Sequence, residues 1–189
     1  KILKRLIIGI TGASGAVIGV RLLEWLSKNG IETHLIVSKW GRRTLEHETS
    51  FSFEYVSKMA SYFYSSGDMA ASISSGSFIT DGMIIVPCSM SSLASISIGN
   101  AGTLIQRAAD VIIKEKRKLV LVPREVPLSA IHIENMLKLA KLGVIILPPM
   151  PAFYNNPETL DDVINHIVSR ILDQFSIENR LTKRWSGQI

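Results

Sequence analysis

The chain has 189 residues, 47% of them hydrophobic, and a single cysteine, which is enough apolar material for one sizeable core and leaves no internal disulfide. Its net charge of +5 is spread over Arg42-Arg43, the run 114–118 and the tail; without interleaved aromatics this favours a solvated face, with some attraction for phosphorylated small molecules, over a nucleic-acid surface. No apolar run approaches the length of a membrane span, and a lone thiol fits a reducing cytoplasm.

The first predicted element is a strand over Leu6-Ile7-Ile8-Gly9-Ile10, a nearly continuous apolar run suited to burial on both faces of a parallel sheet. Thr11-Gly12-Ala13-Ser14-Gly15-Ala16 follows, all small, so that backbone N–H groups at a helix start could approach an anion without a Cβ in the way. The next helix has Val17, Val20, Leu23, Trp25 and Leu26 on its apolar side and Arg21, Glu24 and Lys28 toward water. The chain start imitates a secretory signal, but a short apolar run ended by glycines and followed by an amphipathic helix argues against one. Lys1 in place of an initiator methionine suggests trimming.

Strand, glycine turn and helix outline a phosphate cradle, although close packing alone would also account for the glycines. A short-chain dehydrogenase would place its third glycine one position before Gly19 and an acid where the second strand, Glu32 to Val37, ends in Ser38-Lys39. It would also set a Tyr and a Lys four apart, whereas Tyr55 and Lys58 are three apart. A nicotinamide dinucleotide is therefore disfavoured.

Lys39 to His47 reads as a helix ending near Glu48-Thr49, residues 50–64 show no clear period, and 68–78 are small and polar, a short strand or a ligand loop. Met83 to Val86 is a buried strand stopped by Pro87. Cys88-Ser89-Met90-Ser91-Ser92 then opens a small-residue helix to about Gly99. One serine there would serve as an N-cap, while three hydroxyls beside free N–H groups suit a phosphate or the edge of a flavin ring. Cys88 reads as a small buried hydrophobe rather than a nucleophile.

The helix Thr103 to Lys116 carries Leu104, Ala108 and Val111 on its apolar face, with Arg107 and Lys114, two turns apart, on the same face. Either both heads snorkel to the surface or the pair converges on one dianion. Leu119 to Val122 is a strand whose exit, Pro123-Arg124-Glu125-Val126-Pro127, sits where open α/β sheets hold ligands; Arg124 and Glu125 either pair in water or are aimed. In the helix Leu128 to Leu142, His132 reads as a capping or packing residue, because no second ligand lies at metal spacing.

Val144 to Leu147 is the last strand, and 148–154 leave it as a stiff extended connection. Thr159 with Asp162 resembles a capping box opening a helix to Phe175, whose stripe is Leu160, Val163, Ile164, Ile167 and Ile171, flanked by Arg170. In the tail, about 176–189, Trp185 either pins the terminus or lines a site. About five strands alternating with five helices, without repeat or linker, predict one α/β domain over 1–189: a three-layer, doubly wound parallel sheet.

The ordered set Thr11-Gly12-Ala13-Ser14-Gly15-Ala16, Ile73-Ser74-Ser75-Gly76-Ser77-Phe78, Pro87-Cys88-Ser89, Arg107-Ala108-Ala109-Asp110 with Lys114-Glu115, Pro123-Arg124-Glu125-Val126-Pro127 with Ile131-His132, and Pro151-Ala152-Phe153-Tyr154 resembles the UbiX family. These are flavin prenyltransferases, formerly described as aromatic acid decarboxylases. The resemblance spans nearly the whole chain and implies a flavodoxin-like or Rossmann-like fold, bound FMN, and a homo-dodecamer with active sites between subunits. The implied reaction joins a dimethylallyl group from dimethylallyl monophosphate to N5 and then C6 of reduced FMN, without a metal. The product, prenylated FMN, would serve a UbiD-type decarboxylase in ubiquinone biosynthesis or phenolic acid degradation.

Position by position, the resemblance assigns flavin contacts to Gly12, Ala13, Ser14, Ser38, Ser89, Met90, Ser91, Ser92 and Arg124. It assigns the prenyl phosphate to Arg107, Lys114, Glu125, Tyr154 and Arg170, some of them across a subunit boundary, proton handling to Ser14 and Glu48, and an aromatic beside the prenyl group to Trp185. Asn100-Ala101-Gly102-Thr103 departs from the family pattern, as does Met90 at a flavin position.

Two other readings stand beside this one. An FMN-dependent decarboxylase of the cysteine-decarboxylase type would need a P-x-M-N-x-x-M clamp that is absent here; a non-catalytic flavin carrier or subunit would need no clamp. Elementary chemistry agrees with prenyl transfer. Ionising an allylic phosphate leaves negative charge on the phosphate, which cations and a tyrosine hydroxyl stabilise. The allyl cation can rest against the faces of flavin and Trp185, at roughly 0.5–2 kcal/mol per ring. A monophosphate also dispenses with the Mg²⁺ that a pyrophosphate needs, and no Asp-rich ligand motif occurs.

Overall fold

The structure, a computed structural model, describes residues 4–187. Six parallel strands form one sheet in the order β3-β2-β1-β4-β5-β6: β1 Arg5–Ile10, β2 Glu32–Val37, β3 Tyr62–Ser65, β4 Gly82–Cys88, β5 Lys118–Pro123 and β6 Ile145–Ile146. Among the described residues seven α-helices accompany them: α1 Ala16–Lys28, α2 Lys39–Glu48, α3 Phe53–Met59, α4 Met90–Ser97, α5 Leu104–Lys114, α6 Ala130–Lys141 and α7 Leu160–Gln174. None of these helices is long and apolar enough to cross a membrane.

Side-chain alternation sorts the strands into two cores. Leu6, Ile8 and Ile10, with Ile84, Val86, Val120 and Val122, meet α1, α3 and α7 on one face. Ile7, Met83, Ile85, Leu119 and Leu121 meet α4, α5 and α6 on the other. Because both faces are covered, the central strands read as unbroken apolar runs. This is the three-layer, doubly wound α/β sheet that the alternation of elements predicts.

Several local expectations change. Residues 50–64, without a clear period, contain α3 and the edge strand β3; β3 is the short aromatic run Tyr62-Phe63-Tyr64 with Ser65, largely exposed and without the alternation that marks a half-buried strand. The segment 68–78 holds no strand, only a 3₁₀ turn at Ser72–Ser74. Strand β4 runs through Pro87 to Cys88 instead of stopping at Val86. The Val86–Pro87 peptide is cis, and the pairing with β5 shifts register between Ile85 and Cys88, so the missing proline N–H falls where the ladder is already interrupted. Strand β6 has two residues rather than four.

On α7 the Thr159–Asp162 capping box forms as expected. Leu160, however, is 73% exposed and leaves the stripe, which passes through Ile164, Ile167, Val168, Ile171 and Leu172. On α5 the buried arc is Leu104, Ile105, Ala108, Ala109, Val111 and Ile112. Arg107 and Lys114 lie just beyond its Leu104–Val111 edge, with side chains 34% and 47% exposed. They flank the burying face and do not share it. His132 is the third residue of a capping box whose cap is Ser129, and its Nδ1 accepts from the Ser129 N–H at 3.2 Å.

Candidate active site

The strand order reverses direction between β1 and β4, so their C-terminal ends open a crevice that the chain must line with loops. Thr11 joins the two exits. Its N–H and Oγ1 donate to the Pro87 carbonyl at 3.2 and 2.8 Å, and Oγ1 accepts from the Ser89 N–H at 2.8 Å. The β5 exit is tied in by the Arg124 N–H, which donates to the Cys88 carbonyl at 3.3 Å. Cys88 is fully buried, and burial pushes its thiol up to about 12, as a packing residue requires.

Two glycines shape the β1 exit. A Cβ on Gly12 would fall 2.5 Å from Cβ of Trp40 on α2, and Gly15 caps α1 with φ at 103°, the left-handed region. The first turn of α1 is not left open for a foreign anion, as the cradle reading expected. Glu48, at the end of α2, accepts from the Gly15 and Ala16 N–H groups at 2.8 and 3.1 Å, so the protein's own carboxylate sits against the helix dipole. Burial pushes Glu48 up, but hydrogen bonds from Ser14, Gly15 and Ala16 and the charge of Arg124 outweigh it, and the carboxyl lies below its ordinary value. Ser14, Glu48 and Arg124 thus gather at the rim beside Gly12.

The remaining hydroxyls divide between structure and surface. Ser38 caps α2 by accepting from the Gly41 N–H at 2.9 Å. Ser89 caps α4 by accepting from the Ser92 N–H at 3.2 Å and donates to Ser92 Oγ at 3.0 Å. The α4 start is therefore capped from within, while Ser91 is exposed and Met90 half-buried. Ala13 is buried under this rim.

A second group lies on the α5 side of the sheet. Arg107 donates through Nε to the Ser74 carbonyl at 3.1 Å and through Nη1 to Asp110 at 2.8 Å. Lys114 pairs with Glu115, close enough to Gly76 that a Cβ there would lie 2.9 Å from Lys114 Nζ. Arg117 clamps the same segment from below, donating to the Gly76 and Phe78 carbonyls at 2.6 and 2.9 Å. Glu125 is exposed at the β5 exit and bonds the following N–H.

A third group belongs to α7 and the tail. Tyr154 stands edge-on to Trp185 at 5.7 Å between ring centroids and edge-on to His166 at 5.8 Å. Arg170 donates to Asp173 at 2.6 Å, and Arg184 forks onto both oxygens of the same carboxylate. Because α5 and α7 cover opposite faces of the sheet, Arg107 and Lys114 do not meet Arg170 within one chain.

Trp40, Arg117, Asp173 and Arg184 were not singled out by sequence reasoning. All four are defined by tertiary partners, which leave no local signal in the sequence.

The comparisons with known proteins agree over nearly the whole chain. A family model described as Flavoprotein matches residues 2–172. A probable UbiX-like flavin prenyltransferase of Bacillus subtilis is 58% identical over 183 residues, covering 97% of this chain and 90% of the relative. The crystal structure of a dodecameric FMN-dependent UbiX-like decarboxylase from Escherichia coli O157:H7 superposes with a TM-score of 0.95 at 56% identity, covering 97% of this chain and all of that one (100%). AnUbiX (PadA1), solved in complex with FMN and dimethylallyl pyrophosphate, superposes with a TM-score of 0.97 at 45% identity, over 99% of this chain and 100% of that one.

Proposed function

This chain belongs to the flavoprotein family, among its UbiX-like flavin prenyltransferases, and from that premise we propose its reaction: a dimethylallyl group passes from dimethylallyl monophosphate to N5 and C6 of reduced FMN. The allylic C–O bond would break with the bonding pair leaving on phosphate, and N5 would bond to the allylic carbon as it loses its proton; the prenyl double bond would then take up a proton and close onto C6, which would release its own proton. The observation that carries this reading is the likeness, over 99% of this chain, to AnUbiX in complex with FMN and dimethylallyl pyrophosphate. The rim suits a flavin. Gly12 is exposed and lacks a Cβ, Ser14 and Ser91 present hydroxyls, and the Trp40 ring stands 63% exposed beside Gly12.

In this assignment Gly12, Ala13, Ser14, Ser38, Ser89, Met90, Ser91, Ser92 and Arg124 hold FMN, which supplies the nucleophilic ring when reduced. Ser14 and Glu48, which sit together at the α1 start, are the proton-handling pair. Arg107, Lys114, Arg170, Glu125 and Tyr154 receive the phosphate, where cations aimed at developing negative charge lower the barrier more than they bind the ground state. Trp185 faces the allyl carbons. No metal takes part. Since the cations lie on opposite faces of one sheet, their meeting requires neighbouring copies, in keeping with the dodecamer of the Escherichia coli relative. The assembly is cytoplasmic, and the prenylated flavin passes to a UbiD-type decarboxylase.

Anaerobic incubation with reduced FMN and dimethylallyl monophosphate, followed by mass spectrometry of the released flavin, tests the reading. A flavin heavier by one five-carbon prenyl unit is expected; flavin returned at unchanged mass overturns it in favour of a carrier.

A further inference from the structure

We propose that Asp173 is the positioning residue of the prenyl-phosphate side, aiming Arg170 and holding the tail that carries Trp185. This rests on the reading above, in which Arg170, Tyr154 and Trp185 face the donor. The Asp173 side chain is 18% exposed and gathers donors from three places. Arg170 Nη1 donates to Oδ2 at 2.6 Å from one turn back on α7. Arg184 Nη1 and Nη2 reach Oδ2 and Oδ1 at 2.6 and 2.7 Å, and Asn179 Nδ2 reaches Oδ1 at 3.5 Å. A forked arginine on a carboxylate fixes direction as well as distance. The neighbouring Arg184 guanidinium accordingly holds the Asp173 carboxyl below its ordinary range.

The tail is fastened a second time, by Asn155 Nδ2 donating to Thr182 Oγ1 at 3.0 Å. With residues 182 and 184 both pinned, Trp185 has little choice but to lie against Tyr154. The charge count matters equally. Two guanidinium groups share one carboxylate, so the cluster keeps a net positive charge, and Arg170 retains N–H donors for an incoming anion. Without the carboxylate the two arginines would repel each other, and the aim of Arg170 and the course of the tail would be lost together.

The test is Asp173→Asn, equal in shape and neutral, in the assembled protein. Expected are a rise of about threefold in KM for dimethylallyl monophosphate with a fall of about tenfold in kcat, FMN affinity within about twofold, and trypsin cleavage after Lys183 or Arg184 faster by about tenfold. Asp173→Glu restores most of kcat and the trypsin resistance, and Arg184→Gln loosens the tail while sparing part of kcat. Values of kcat and cleavage within about twofold of wild type in Asp173→Asn would overturn the proposal. So would joint loss of kcat, FMN binding and thermal stability without rescue by Glu, which describes a merely structural carboxylate. Should the wild-type protein leave FMN unprenylated, the donor reading and the aiming role fall together, whereas failure in the variants alone leaves the donor reading standing.

Discussion

The crevice at the β1/β4 reversal and the flank formed by α7 and the tail are built in opposite ways. The crevice is made mostly by short groups and backbone: Thr11 and the Arg124 N–H tie the strand exits together, and the Glu48 carboxylate holds the α1 start at Gly15, all inside a single chain. The flank is made by long side chains, Arg170 and Arg184 on Asp173 and Trp185 on Tyr154, with the aromatic pair and both arginines about half exposed. Backbone walls can be rigid in a monomer, whereas long cations at a surface lose aim unless a partner fixes them. On the proposed reading the molecule is thus prepared to hold a flat ring by itself and incomplete, as one chain, for holding a phosphate.

The largest test of that contrast removes a cation. Lys114→Ala or Arg107→Ala is expected to lower prenyl transfer by about 10²–10³-fold, read from the rate of flavin mass gain, with FMN affinity within about twofold of wild type. Transfer at full rate in either variant would break the leaving-group account. A second experiment uses the opposite faces on which Arg107 and Arg170 lie. Arg107→Ala and Arg170→Ala chains, each nearly inactive alone, should regain activity when co-assembled in equal amounts. If each site takes Arg107 from one copy and Arg170 from another, half times half, or about a quarter of the sites, keep both. A mixture as inactive as its components would place both arginines of a site in the same chain.

Much of the crevice could be read from residues in order, because its parts are local: the apolar run of β1, the small-residue turn and the helix after it are contiguous. The capping boxes at Thr159 and, through His132, at Ser129 are equally local. Elements whose signal lies elsewhere escaped. Strand β3 is a four-residue exposed edge whose aromatics do not alternate with polar residues, β6 has two residues, and Pro87 sits in β4 where the pairing with β5 shifts register. At the site, Arg107 and Lys114 were recognisable as odd on α5, but that they border the 72–78 segment, with Arg117 beneath it, depends on contacts between residues 33 to 41 apart. Asp173 and Arg184 look like ordinary surface charges until the tail folds back.

Two smaller effects sharpen the crevice side. Gly12→Ala sets a methyl 2.5 Å from Trp40 Cβ; relieving that overlap should cost about 1–3 kcal/mol in unfolding free energy and weaken FMN binding, by thermal melting and flavin fluorescence titration. An unchanged melting temperature would mean that α2 yields freely and that the wall is softer than its hydrogen bonds suggest.

On stability, Glu48→Gln should act least and only in part of the pH range. The amide keeps the shape and can still accept from Gly15 N–H, so what is lost is the negative charge at the α1 start, worth about 1 kcal/mol. The wild-type carboxyl has a folded value below its ordinary 4.5, so its stabilisation is fully present above that ordinary value and is lost as pH falls through the lower, folded one. The two proteins should therefore differ most in melting temperature near neutral pH and converge in acid. A gap that stayed constant with pH would assign the loss to shape or hydrogen bonding, and no gap at any pH would remove the charge of Glu48 from what holds the rim together.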